Sequence, residues 1–144
     1  MVEVSEARGE VWLRDDSIKP LVLVAGGTGM SSTLSILKNS LDPRFNQPIY
    51  VYWGPRIWKT CMCMTSLWIL RLKTKTSVTY QPLKYQPVPN TLSKERCVMS
   101  DFRNLSKFYI CLCGPCKIVE VARDWFCDKR GAEPEQLYAD AFTY

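Results

Sequence analysis

The sequence contains no histidine among its 144 residues. Ser-His-Asp and Cys-His catalytic arrangements are therefore excluded, as is any zinc site that needs an imidazole ligand. No apolar run approaches the roughly 20 residues that a membrane-spanning helix requires. Residues 1–6 are acidic and lack the basic and apolar regions of a secretory signal. We therefore expect a cytoplasmic protein without a membrane span.

The cysteines do not suggest a disulfide framework. There are seven, an odd number, and no secretory signal precedes them, so we expect reduced thiols. The chain length fits one domain with its own core and is too short for two domains of ordinary size. Apolar residues make up 47% and charged residues 23%, so neither a disordered tail nor a fibrous protein is expected.

The net charge of +5 comes from the middle of the chain. Residues 57–108 carry nine basic and two acidic side chains, whereas residues 1–56 carry six of each. Clustered basic residues can follow a nucleic-acid backbone, but a solvated surface is the ordinary alternative. We expect no nucleic-acid partner.

The first third of the chain predicts a strand, a glycine turn, a helix and a second strand. Residues 21–25 and 48–53 are short apolar runs, typical of parallel strands buried on both faces. Between them, apolar residues recur at helical spacing: Met30, Leu34, Leu37 and Leu41. Pro43 marks the end of that helix. This βαβ unit implies a parallel sheet with a right-handed crossover.

The last third repeats the pattern. Residues 108–113 predict a third buried strand, and Pro115 is expected at the first position of the following helix, where no amide donor is needed. The inner face of this helix is predicted to comprise Ile118, Ala122, Trp125 and Phe126. Gly131 is placed to cap the helix, and residues 137–142 predict a final strand. The fold class is therefore α/β, an open parallel sheet with helices on both faces.

Gly26, Gly27, Thr28 and Gly29 follow the first strand and open the first helix. Backbone amides of a glycine turn at a helix N-terminus favour a phosphate or pyrophosphate. The spacing differs from the G-x-G-x-x-G dinucleotide fingerprint, so a structural turn without a ligand is the alternative.

Two further turns follow predicted strands, one at Trp53 and Gly54 and one at Cys113, Gly114 and Pro115. Ligands of open parallel sheets bind outside the carboxyl ends of the strands, so we expect these turns to border one crevice with the glycine turn. Cys113 can face a bound ring there, and a small buried residue at a strand end is the alternative.

The cysteine spacing also permits a thiolate metal site. Cys111, Cys113 and Cys116 form a C-x-C-x-x-C pattern, and Cys61 and Cys63 offer a second pair. Four thiolates can bind zinc or an iron-sulfur cluster. We expect these cysteines in the core and no metal in the protein.

Six segments of the sequence form a recognisable combination: GEVWLRDD at 9–16, LVLVAGGTG at 21–29, YWG at 52–54 with Arg56, CGP at 113–115, VARDWF at 121–126 and YADAF at 138–142. In this combination the chain closely resembles the NAD(P)H-flavin reductases, and within them the flavin reductases of bacterial luminescence operons, which supply reduced FMN to luciferase.

The resemblance implies a two-domain oxidoreductase of the ferredoxin-reductase type. A flavin-binding β-barrel would precede a nicotinamide-nucleotide domain, with NAD(P)H and FMN or FAD as cofactors or substrates and a functional link to luciferase. Gly26 to Gly29 would bind the pyrophosphate, with Trp53 and Gly54 bordering the site. Cys113, the implied catalytic residue, would flank the nicotinamide with Gly114 and Pro115. Phe142 would lie near the flavin.

The sequence departs from this family in two ways. The barrel with its Arg-Pro-x-Ser motif is absent before Gly9, so the chain resembles the C-terminal part of a longer protein, and we expect it to reduce flavin poorly by itself. A nucleotide-binding module without catalysis and a thiolate metal protein are the alternatives.

The second departure is the segment 57–107, which lacks the acidic helix that the family has there. A permitted choice of codons for residues 57–81, read two nucleotides later, can give MEDLYVYDEFVDFAAKNKNVSYIP, an acidic helix followed by the start of a strand. We therefore interpret residues 1–144 as one NAD(P)-binding domain in which 57–107 is an atypical, frameshifted segment.

Overall fold

The computed structural model describes residues 9–14, 18–40, 42, 44–54, 79–82, 98–99 and 101–142. Most of the hypothesised frameshifted segment lies outside these residues, and so do Leu41, Pro43, Cys61 and Cys63. In the described part of the chain, no helix is long and apolar enough to cross a membrane.

Five parallel strands form one sheet in the order β3-β2-β1-β4-β5. The strands are β1 (Leu21–Gly26), β2 (Ile49–Gly54), β3 (Thr79–Pro82), β4 (Tyr109–Pro115) and β5 (Leu137–Phe142). The helices are α1 (Met30–Asn39) and α2 (Cys116–Arg130), and short 3-10 turns cover Gly27–Gly29 and Pro134–Gln136. The predicted open parallel α/β fold is confirmed.

The central strand, β1, is buried along its whole length. Side chains of a strand alternate between faces, so β1 contributes to two separate apolar clusters. Leu21, Leu23 and Ala25 pack with Met30, Ile36 and Leu37 of α1. On the opposite face, Val22 and Val24 pack with Val119, Ala122 and Phe126 of α2. The helices therefore cover both faces of the sheet, as the sequence predicted.

The start of α2 differs from the expectation. Pro115 was expected as the first helical residue, but it is the N-cap, with ψ at 139°, and the last residue of β4. It stays extended because it is paired with Phe142 of β5. At the other end, Gly131 adopts a φ of 65° and donates to the carbonyls of the last turn, so the predicted cap is confirmed.

The buried faces of both helices are rotated slightly from the predicted ones. In α2, Val119 is buried and Ile118 and Trp125 are only partly buried. In α1, Thr33 and Ile36 are buried and Leu34 is partly buried. The fully buried polar residue Thr33 was not expected in the core.

Candidate functional site

The strand order places a topological switch point between β1 and β4. From β1 the chain passes through α1 to β2 on one side, whereas β4 and β5 lie on the other side. Open α/β sheets bind ligands at such a point, outside the carboxyl ends of the strands. All the predicted site residues lie at this edge of the sheet: Gly26, Gly27, Thr28, Gly29, Trp53, Gly54, Cys113, Gly114, Pro115 and Phe142.

The tip of the glycine turn is open. Gly27 has a φ of +55°, which favours glycine, and nothing lies within 4 Å of the position that a Cβ would occupy. Thr28 is exposed, while Gly29 behind it is buried. A ligand can therefore approach the backbone at Gly27 and Thr28.

Gly29 and Gly114 have a different role. A Cβ on Gly29 would overlap the carbonyl oxygen of Cys113, and a Cβ on Gly114 would lie 3.2 Å from Cα of Gly26. These two glycines thus let the ends of β1 and β4 and the start of α1 come together. A side chain at either position would disturb this close packing.

Trp53 stabilises the glycine turn through a hydrogen bond. Its side chain is 5% exposed, and its indole Nε1 donates to the carbonyl oxygen of Gly27 at 3.2 Å. Gly54, the next residue, is the register partner of Gly26. The indole ring is buried and its N–H is already hydrogen-bonded, so the role of Trp53 at this site is to fix the conformation of Gly27.

Comparison with known proteins shows which family the chain belongs to. Residues 23–124 match the family described as the oxidoreductase NAD-binding domain. The chain belongs to this family. The matched range includes β1 from Leu23 onward, the glycine turn between β1 and α1, and the whole of β4.

Several relatives of this NAD-binding domain are named flavin reductases. The chain is 64% identical over 148 residues to a probable flavin reductase of Vibrio harveyi, covering 100% of this chain and 63% of the relative. It is 28% identical to an NAD(P)H-flavin reductase of Vibrio harveyi, covering 99% of this chain and 62% of that protein. The chain thus spans a little less than two thirds of the relatives' length.

Solved structures support the fold. The cytochrome P450 reductase GcoB of Amycolatopsis matches with a TM-score of 0.75 at 21% identity, over 90% of this chain and 40% of that one. The H286L mutant of the ferredoxin-NADP+ reductase of Plasmodium falciparum matches with a TM-score of 0.72 at 17% identity, over 90% of this chain and 56% of that one. The NAD-binding domain therefore has the ferredoxin-reductase type of parallel sheet.

Replacing Trp53 of this NAD-binding domain with phenylalanine is expected to lower the free energy of unfolding by about 2 kcal/mol, because the Gly27 carbonyl loses its donor and the smaller ring leaves space. Urea unfolding measures the loss. Trp12→Phe is the matched control, since Trp12 is 51% exposed, and it should change stability by less than about 0.5 kcal/mol. Equal effects of the two substitutions would contradict the supporting role of Trp53.

Cys113 is buried at the crevice with 2% exposure. Burial raises the pKa of its thiol to about 11, and the Asp140 carboxylate raises it further. Burial likewise raises the pKa of Cys111 to about 12. Both thiols are therefore neutral at pH 7, and Cys113 can act as a contact surface but not as a thiolate nucleophile.

The raised pKa values predict that the domain loses stability in alkali. Below the ordinary value of 9.0, the Cys113 thiol is protonated in the folded and unfolded chain alike. From about pH 9 to about pH 11 only the unfolded chain releases this proton, so the free energy of unfolding falls as the pH rises. Urea unfolding under reducing conditions should show this fall, and Cys113→Ala should make it shallower. An unchanged slope in Cys113→Ala would contradict the prediction.

The described part of the chain gives no support to the alternative of a thiolate metal site. In the described ranges, no three cysteine or carboxylate side chains are grouped so as to hold a metal ion. Cys111 and Cys113 are buried and free, and Cys116 is partly buried and free. Cys61 and Cys63 lie outside the described residues.

Sequence reasoning missed two polar residues beside Cys113. Asp140 of β5 is its register partner, and its Oδ1 accepts a hydrogen bond from the backbone N–H of Glu10 at 2.9 Å. Thr33 of α1 is fully buried, and its Oγ1 has no hydrogen-bond partner in the described part of the chain. The alternation of β5 could have placed Asp140 on one face, but the contact with Glu10 joins residues 130 positions apart and has no local sequence signal.

Proposed function

We propose that this chain is the nicotinamide-nucleotide-binding part of an NAD(P)H-dependent flavin reductase. The observation that carries the proposal is the open turn at Gly27, located at the switch point of the sheet. Membership of the NAD-binding family and the names of the flavin reductase relatives support it. The relatives extend beyond this chain, so the flavin-binding part is assigned to the remaining third of such a protein.

The residues at the turn fit a pyrophosphate. The helix α1 begins directly after Gly29 and has no acidic residue in its first turn. Its first backbone N–H groups have no partners within the helix, and the helix dipole favours an anion there. A Cβ at Gly27 would fill the open space that a phosphate oxygen needs. We assign the pyrophosphate to Gly27 and Thr28, with Gly26 and Gly29 shaping the turn.

The remaining residues of the edge would hold the reacting rings. When bound, the nicotinamide supplies a hydride for the flavin, and this transfer needs no protein acid or base. We assign to the neutral Cys113 thiol the role of flanking the nicotinamide, together with Gly114 and Pro115. Phe142, partly buried and paired with Pro115, would lie on the flavin side.

The finer proposal is that the flavin is FMN and that its reduced form is passed to bacterial luciferase. It rests on the resemblance to the luminescence-operon reductases and on the identity of 64% to the Vibrio harveyi relative. Luciferase would then be the functional partner of the complete protein.

A chimera tests the proposal. The part of the Vibrio harveyi relative that lies outside the matched region is joined to this chain, and oxidation of NADH or NADPH is followed with FMN present. We expect FMN-dependent oxidation, and light when luciferase and its aldehyde substrate are added. A chimera that binds nucleotide without reducing FMN would instead support a non-catalytic nucleotide-binding module. Reduction of FMN without light would remove only the luciferase link.

A further inference from the structure

The glycine turn has a glycine on each side of Thr28, so the direction of its two peptide units depends on their partners. Glycine adopts positive and negative φ about equally readily, and Gly27 has a φ of +55° with open space at its Cβ position. The peptide bonds of the turn are trans. In a trans peptide unit the C=O and the N–H point in opposite directions. The group that holds a carbonyl of the turn therefore also sets the direction of the next N–H.

The Gly27 carbonyl is held from β2. Its oxygen accepts the hydrogen bond from the indole Nε1 of the buried Trp53 at 3.2 Å. The N–H of Thr28 belongs to the same peptide unit and is therefore directed away from Trp53 and β2. The strand β4, with which β1 forms the switch point, lies on that other side of β1.

The Thr28 carbonyl is held from α1. Its oxygen accepts a hydrogen bond from Oγ of Ser31 at 3.0 Å. Ser31 is an exposed residue in the first turn of the helix, so the Thr28 carbonyl points along α1. The N–H of Gly29, in the same peptide unit, then points out of the N-terminal end of α1, where the helix dipole favours an anion.

We propose that Ser31 is a positioning residue of the nucleotide site, whose hydroxyl holds the Thr28 carbonyl so that the Gly29 N–H stays directed at the pyrophosphate. The inference rests on the proposed function. Serine commonly bonds to a carbonyl three residues earlier, but this carbonyl belongs to the open turn and not to α1. A turn whose donors are already in place loses less conformational entropy when the anion binds, so the bond contributes to affinity.

Calorimetry on the 144-residue chain measures the effect of this bond on affinity. NADH and ADP-ribose share the pyrophosphate, so we expect Ser31→Ala to weaken the binding of both about fivefold, the size of one hydrogen bond. Ser31→Thr keeps the hydroxyl and should bind both ligands like the unmodified chain. Ser35→Ala is the matched control, because Ser35 is exposed on the same helix one turn further from the glycine turn, and it should change neither affinity.

The nitrogen-proton NMR spectrum of the ligand-free chain shows whether the hydroxyl acts through the turn. The two held carbonyls belong to adjacent peptide units, so release of the Thr28 carbonyl should alter the bond that the Gly27 carbonyl accepts from Trp53. The indole N–H signal of Trp53 is assigned by its loss in Trp53→Phe. We expect this signal to shift in Ser31→Ala and to keep its position in Ser31→Thr and Ser35→Ala.

Three results would overturn the inference and leave the proposed function standing. They are unchanged affinities in Ser31→Ala, weaker binding of NADH without weaker binding of ADP-ribose, and weaker binding of both with an unshifted Trp53 signal. The last result would mean that the Ser31 hydroxyl contacts the ligand itself. If the unmodified chain binds neither ligand, the proposed nucleotide function fails first, and the inference fails with it.

Discussion

Replacing Gly29 with alanine is expected to lower the free energy of unfolding by about 3 kcal/mol or more, the upper range for overpacked sites. The added Cβ would overlap the carbonyl oxygen of Cys113. That oxygen belongs to the backbone of β4, between the paired strands β1 and β5, so it cannot rotate away as a side chain would. Either the start of α1 or the end of β4 must shift. Urea unfolding of the purified variant measures the loss.

Gly27→Ala is the matched control, because it adds the same methyl group two residues earlier in the same turn. Nothing lies within 4 Å of its Cβ position, so the cost is only that of a φ of +55° in a residue with a side chain. That cost is about 1 kcal/mol. If Gly29→Ala is no less stable than Gly27→Ala, the close contact between the turn and β4 does not exist as described.

Restoring the other reading frame in the middle of the chain is expected to raise Tm by on the order of 5 °C, which corresponds to about 2 kcal/mol. The variant replaces residues 57–81 with MEDLYVYDEFVDFAAKNKNVSYIP, so the end of the insert also takes the place of Thr79, Tyr80 and Gln81 of β3. The sequence as written lacks a helical period where the fold needs a crossover between β2 and β3. A segment whose local preference matches the fold stabilises the folded state, so the replacement should stabilise the domain. Thermal unfolding followed by circular dichroism measures the shift.

The structure shows which residues such a replacement should leave unchanged. Val98 and Leu105 are fully buried, and Arg130 of α2 donates through Nε to the Met99 carbonyl at 3.1 Å. Residues from Val98 onward therefore pack as part of the core and should be left unchanged. A shuffled insert of identical composition is the control for charge alone. A Tm that does not rise, or that rises equally with the shuffled insert, would argue against the frameshift hypothesis.

Local patterns were sufficient to predict most of the sheet. The β-branched runs of β1 and β2, the run of β4 and the closing strand β5 all lie within a residue or two of their predicted bounds. Buried parallel strands have this signature because both faces must be apolar. Gly131 was predictable for a similar reason, since a helix that ends in a left-handed residue favours glycine there.

The parts that could not be predicted depend on contacts between distant elements. Pro115 continues β4 because β5 pairs with it, whereas the sequence alone favours a proline at the first helical position. Thr33 is buried because the start of α1 packs directly on the backbone of Cys113, although hydrophobic periodicity predicts that Leu34 is the buried residue. The glycine turn was predicted as a unit, but only the packing shows that Gly27 faces open space and Gly29 faces β4.

Nucleotide binding at the Gly27 turn is tested most directly by comparing Gly27→Ala with Gly131→Ala. The two glycines have φ values of 55° and 65°, and neither has an atom within 4 Å of its Cβ position, so alanine imposes the same backbone strain at both. Only Gly27 lies at the switch point. Calorimetric titration with NADH should show affinity reduced about tenfold or more in Gly27→Ala, a loss of about 1.4 kcal/mol, and little change in Gly131→Ala. Equal affinities in the two variants would contradict the assignment of the nucleotide to this turn.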